Sequence, residues 1–141
     1  AAVGIEQLLK LPSFISARRQ NAIRFQEIMQ EFPNIGIQNE LGKSSWFGFS
    51  LILRNELRGQ RNNFVRFLTS RGIESRPIVA GNFTNNPVIG HLKHLPIPNL
   101  PMADEIHHNG LFIGNHHYDL GEQLNHLQGV LREFVRKGSK L

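Results

Sequence analysis

Cysteine is absent from the 141 residues, so disulfides, thiol nucleophiles and thiolate-held zinc or iron–sulfur clusters are excluded within this chain. Aspartate occurs only at Asp104 and Asp119. Both stand where helices are expected to begin, and neither forms part of a carboxylate pair suited to acid–base catalysis. No apolar run approaches the roughly 20 residues of a membrane span, and the opening lacks the basic, apolar and small-residue order of a signal peptide. A cytoplasmic protein without membrane contact is expected. There is no G-x-S-x-G elbow, and Gly42, Lys43 and Ser44 lack the upstream glycine of a phosphate-cradling loop.

What remains is 40% hydrophobic and 19% charged, the balance of one ordinary globular domain. Net charge is +5, and much of it lies where Arg54, Arg58, Arg61, Arg66, Arg71 and Arg76 face only Glu56 and Glu74. Such a run is either the solvated face of an amphipathic helix or an anion-binding surface. No aromatic-interleaved basic stripe or helix-turn-helix signature accompanies it, so no nucleic-acid partner is expected. A stand-alone basic module binding anions or nucleic acid is the alternative reading.

The chain opens AAVGIEQLLKLP, with Ile5, Leu8 and Leu9 at helical spacing but no capping residue before them. A helix entered in its middle leads to the expectation that residues 1–12 end a linking helix from a preceding large domain. Pro12 is expected to break or kink it, with a second helix over about 13–32 burying Phe25, Met29 and Phe32. Strands are expected at 35–38 and 46–53, where Phe47, Phe49, Leu51 and Leu53 alternate with Trp46, Gly48, Ser50 and Ile52. Helical spacing returns over 58–71 through Phe64, Val65 and Leu68. Gly72 stops it, and Ile73 is expected to start another strand. Pro87, Pro96, Pro98 and Pro101 hold 84–101 in an irregular excursion of the length often found at binding sites. A short helix from near Asn99 and a strand at 111–114 follow. Asp119 and Glu122 have capping-box spacing ahead of a helix burying Leu120, Leu124, Leu127, Leu131 and Phe134. The body is expected to span 13–136, with a frayed tail at 137–141. Helices on a small, mainly antiparallel sheet define an α+β fold.

Seven histidines include His91 with His94, His107 with His108 and His116 with His117. Adjacent residues on a strand point to opposite faces, and no carboxylate completes an H-E-x-x-H arrangement, so no metal site is expected. Lys10, Lys43, Lys93, Lys137 and Lys140 lie in no context that would desolvate an amine for Schiff-base formation. No catalytic residue is assigned. The chain could still line an active site completed by other residues.

Several motifs in order bear on that possibility: AAVGIEQLLKLPSFISARRQNA, SSWFGFSLIL, the R-x-x-F-V-R-F-L helix ending in RGIESRP, VAGNFTNNPV and LPMADEIHHNGLFIGNHH. Together they cover essentially the whole chain. It resembles the small C-terminal domain of the DegT-type, pyridoxal-phosphate-dependent sugar aminotransferases, and within them the nucleotide-sugar 3-dehydrase branch. The resemblance implies the small domain of the type I, aspartate-aminotransferase-like fold and a parent roughly three times longer, homodimeric and active in deoxy- or amino-sugar synthesis for lipopolysaccharide. It implies pyridoxal or pyridoxamine phosphate in that parent, with none held by this chain alone. The residue above the cofactor, lysine for transamination or histidine for dehydration, would lie in the large domain. The partners implied are a nucleotide-linked keto-deoxy sugar and an amino donor, with Arg76, Asn82, Thr84 and Asn85 contacting substrate. Arg76 would meet a donor carboxylate or a diphosphate oxygen. Asn82, Thr84 and Asn85 would offer donors and acceptors to sugar hydroxyls, or simply cap a turn. In the dehydrases an arginine tends to follow the threonine, where this chain has Asn85; dehydration and transamination both stay open.

Overall fold

Apolar residues two apart build the sheet, and those three and four apart build the helices that cover it. The structure, a computed structural model, describes residues 2–96 and 98–138. Four helices, α1 (Ala2–Met29), α2 (Arg61–Ser70), α3 (Pro101–Asn109) and α4 (Gly121–Gly138), accompany strands β1 (Ile35–Ile37), β2 (Gly48–Leu53) and β3 (Gly110–Gly114). The sheet has the order β1-β2-β3, antiparallel throughout, with Ile35 opposite Leu53 and Phe49 opposite Ile113. This is the α+β arrangement expected.

Phe49, Leu51 and Leu53 of β2 are buried, while Ser50 and Ile52 between them are half-buried, so one face of the strand carries the core. Phe25 of α1 stacks on Phe49 with ring centroids 4.1 Å apart. Phe64 of α2 meets Phe134 of α4 at 4.6 Å. The whole Leu120, Leu124, Leu127, Leu131 and Phe134 stripe is buried, and joins the sheet and the other helices in one apolar cluster.

Three local expectations change. First, α1 runs unbroken through Pro12. Residues 2–12 are exposed, so the carbonyl that loses its bond there is free to meet water, and Ser13 Oγ donates to Lys10 O at 2.7 Å to hold the turn. Burial of Asn21, Ala22, Phe25, Ile28 and Met29 anchors the rest of the helix. Second, period two does not extend back to residue 46. Trp46 has φ 50° and is buried, whereas Phe47 is 72% exposed. A left-handed residue reverses the side-chain direction, so Phe47 leaves the face of Phe49. Third, no strand begins at Ile73. A single antiparallel bridge joins Arg76 to Phe112, with N···O distances of 2.8 and 2.7 Å.

At the start of α4, Asp119 accepts a bond from Gly121 N at 2.8 Å, two residues on, rather than from the third backbone N–H that a capping box would use. The expected tail lies outside the described residues beyond Gly138, as does Ile97 within the proline-rich excursion.

Candidate cleft beside the third strand

Beyond the Arg76 bridge the outer edge of β3 opens into a cleft of about 1110 Å³. Residues 72–79 form one wall and the first turns of α4 the other. Phe47 and Phe112 stack at 5.8 Å inside it, and the Arg18 guanidinium lies over the Phe47 ring, 5.8 Å from its centroid, close enough for a cation–π attraction.

Two buried asparagines hold this assembly. Asn21 Nδ2 donates to Asn115 Oδ1 at 3.0 Å, His116 O at 3.2 Å and Tyr118 O at 2.8 Å, while Asn21 Oδ1 accepts from Leu120 N at 3.1 Å. Asn115 Nδ2 donates to Arg18 O at 3.0 Å and Trp46 O at 2.8 Å. One network thus ties α1, the approach to β2 and the β3–α4 loop. Apart from the bond between the two asparagines themselves, each satisfies a backbone group that would otherwise be costly to bury.

Of the four expected site residues, Arg76 lines the cleft. Its guanidinium pairs with Glu74 at 2.9 Å, both side chains well exposed, a pairing weak enough to exchange for a ligand. Asn82, Thr84 and Asn85 form a separate latch against α3. Asn82 is buried. Its Oδ1 accepts from Thr84 N at 3.1 Å and Thr84 Oγ1 at 2.7 Å, its Nδ2 donates to Asp104 Oδ1 at 2.7 Å, and its backbone N–H donates to His107 Nδ1 at 3.1 Å. Asn85 Nδ2 also donates to Asp104 Oδ1, at 2.8 Å. Gly81, with φ +62°, brings the chain so close to His107 that any Cβ would collide with the ring.

The amide bonds from Asn82 and then Asn85 hold the Asp104 carboxyl below its usual range. The contribution of the Asp104 bonds to the latch is therefore fully present above the ordinary carboxylate pKa and is lost as pH falls through the depressed folded value. We predict that the protection of the Thr84 and Asn85 amides, each taken relative to the intrinsic exchange rate at the same pH, falls on acidification through that range, and that Asp104→Asn removes this fall; protection unchanged by pH would contradict the latch.

The arginines of the 54–76 stretch are dispersed. Arg58 pairs with Glu105 and Arg71 with Glu133, while Arg61 donates to Gly110 O at 2.7 Å. No continuous basic surface results from these. Among the described residues no three His, Asp or Glu side chains converge as metal ligands, and no helix is long and apolar enough to cross a membrane. Lys10, Lys43 and Lys93 are exposed.

Sequence reasoning missed Arg18, Phe112, Asn115 and Tyr118 as cleft-forming residues. One signal was available: Asn21 stands in line with Phe25 and Ile28 on the apolar stripe of α1, and an amide there demands buried partners.

Comparison with known proteins places this geometry. The chain is 47% identical over 133 residues to the GDP-4-keto-6-deoxy-D-mannose 3-dehydratase of Yersinia pseudotuberculosis, a match covering 94% of this chain and 34% of that protein. It is 28% identical over 137 residues to the lipopolysaccharide biosynthesis protein RfbH of Salmonella typhimurium, covering 95% of this chain and 31% of the relative. The solved E. coli GDP-4-keto-6-deoxy-D-mannose 3-dehydratase with bound hydrated pyridoxal phosphate superimposes with a TM-score of 0.85 at 44% identity, over 92% of this chain and 34% of that one. The fold is thus part of the type I pyridoxal-phosphate enzyme fold, and the chain spans about a third of the length of the relatives it matches. The pattern of the DegT/DnrJ/EryC1/StrS aminotransferase family runs over residues 1–131, nearly every element described above, and the chain belongs to that family.

Proposed function

We propose that this chain is the small C-terminal domain of a nucleotide-sugar 3-dehydratase dependent on pyridoxal or pyridoxamine phosphate, acting on a GDP-linked 4-keto-6-deoxy sugar. The observation that carries this reading is a large cleft with arginine and aromatic walls but no enclosed lysine, in a chain 47% identical to such a dehydratase. The cleft is built to hold a ligand rather than to transform it. When bound, the cofactor supplies an electron sink for loss of a hydroxyl beside the sugar carbonyl. No lysine lines the cleft, and the residue above the cofactor, a histidine in the dehydrase reading, is assigned to the preceding large domain; no step of the reaction is assigned to this chain.

Its own residues shape and dry the cleft. Phe47 and Phe112 present an apolar wall that excludes water. Arg76 exchanges Glu74 for a ligand oxygen. Asn82, Thr84 and Asn85, latched on α3, place the loop at 81–86 as a rim that closes over the substrate and offers it the exposed Asn85 amide. The parent acts as a cytoplasmic homodimer supplying deoxy sugars to lipopolysaccharide; the Salmonella relative, a lipopolysaccharide biosynthesis protein, supports the last of these.

The longer parent assayed with GDP-4-keto-6-deoxymannose, glutamate and pyridoxal phosphate is expected to release the 3-hydroxyl as water. Amine transfer without dehydration would move the enzyme to the aminotransferase branch, and the absence of both activities would overturn the reading.

A further inference from the structure

Lysines and arginines together outnumber carboxylates in this chain, 16 to 11, yet most of the arginines find employment. Arg58, Arg71, Arg76 and Arg132 pair with Glu105, Glu133, Glu74 and Glu31. Arg19, beside Arg18 on α1, donates to Ser44 O at 2.9 Å and Lys43 O at 3.1 Å. Arg18 differs. Its Nε is sealed from solvent, no acceptor among the described residues reaches it, and no carboxylate there pairs with its guanidinium. Because Arg18 also lines the cleft, its unpaired guanidinium charge is available there to an incoming oxyanion.

The surroundings are as ordered as the arginine. Asn115 grips Arg18 O and Trp46 O with the same amide, so it positions the cation and, through the left-handed Trp46, the exposed Phe47 ring beneath it. Phe47 rests on Phe112. A second flat surface lies in the same cleft, where His116 stacks on Tyr118 with centroids 4.9 Å apart. The other charged or titratable groups lining the cleft are Arg76 with its partner Glu74, Glu122 and His126.

We infer that Arg18 is the oxyanion holder of this cleft, taking a phosphate group whose attached ring system lies against Phe47. The planar guanidinium suits two phosphate oxygens at once. A stacked aromatic beneath it suits a flat heterocycle, and the cleft volume exceeds what a simple carboxylate needs. The phosphate could come from a nucleoside diphosphate or from the cofactor, and the experiment separates the two. The inference rests on the proposed function only for the identity of the molecule carrying the phosphate.

The test is a titration of the 141-residue chain, followed by amide chemical shifts, with inorganic pyrophosphate, GDP and pyridoxal phosphate in separate arms. Saturable pyrophosphate binding is expected, about 10-fold weaker in Arg18→Gln and intermediate in Arg18→Lys, which keeps the charge but loses the fork. Phe47→Ala should leave pyrophosphate binding unchanged while weakening GDP or pyridoxal phosphate, whichever binds tighter than pyrophosphate to the unmodified chain. Equal affinity for all three overturns the ring platform. No saturable pyrophosphate binding up to ~10 mM, or unchanged affinity in both Arg18 variants, overturns the inference. If Arg18→Gln fails to give a folded amide spectrum, Arg18→Lys decides alone. A parent inactive on the keto sugar with an intact Arg18-dependent site would overturn only the proposed function. An active parent whose C-terminal chain binds anions regardless of Arg18 would overturn only this inference.

Discussion

Replacing Asn115 with alanine is expected to lower the stability of the chain by about 3–5 kcal/mol, because the change strips three buried hydrogen bonds at once. The carbonyls of Arg18 and Trp46 and the amide of Asn21 would each lose a partner, in a place where Asn115 itself is only 4% exposed. Urea unfolding with an unchanged slope and a lower midpoint is the expected readout. Asn21→Ala should cost a similar amount. The double replacement should cost clearly less than the two effects added, since both belong to one network. A loss below about 1 kcal/mol for Asn115→Ala would mean that the network holds neither the fold nor the cleft.

Phe25→Ala is expected to cost about 3–5 kcal/mol, the usual consequence of emptying an aromatic site in a close-packed core. Phe25 is fully buried against Phe49, and the surrounding helix and strand cannot both move to fill the space. For a chain of this size the melting temperature should fall by roughly 10 °C. Phe47 provides the contrast. Though two residues from Phe49, it is largely exposed, so Phe47→Ala should change stability by no more than about 0.5 kcal/mol. Comparable melting losses for the two variants would place Phe47 in the core and remove the aromatic wall from the proposed cleft.

Much of the fold was legible because hydrophobic period reports which face is buried. The stripe of α4 and the alternation of β2 from Phe49 onward both reappear as buried core. Composition and period failed where backbone detail intervened. Nothing in WFGFSLIL announces a positive φ at Trp46, which turns Phe47 from a core residue into a cleft residue. Nor does Ile73 reveal that its segment will meet β3 at one bridge alone, through Arg76, until the neighbouring strand is known. Pro12 read as a break or kink, since the sequence cannot say that the turn around it is solvated and held by Ser13 while the helix continues.

For the site, residue types were legible and their partners were not. The polar run NFTNNP was expected either to meet substrate or to cap a turn, and its amides are found bound to Asp104 and His107 of α3. Arg76 lines the cleft, while Arg18, far earlier in the chain, was read only as helix.

By itself the sequence determined the α+β class, the absence of thiol chemistry from this chain, and membership of a family through several ordered motifs. These depend on local periodicity and on which groups the residues carry, and neither needs a partner to be known. Only the tertiary structure decided which arginine lacks an acceptor, which aromatic faces the cleft and which asparagines hold them. Those properties arise between residues as far apart as Asn21 and Asn115, where the geometry of burial, rather than any spacing along the chain, sets what each side chain can meet.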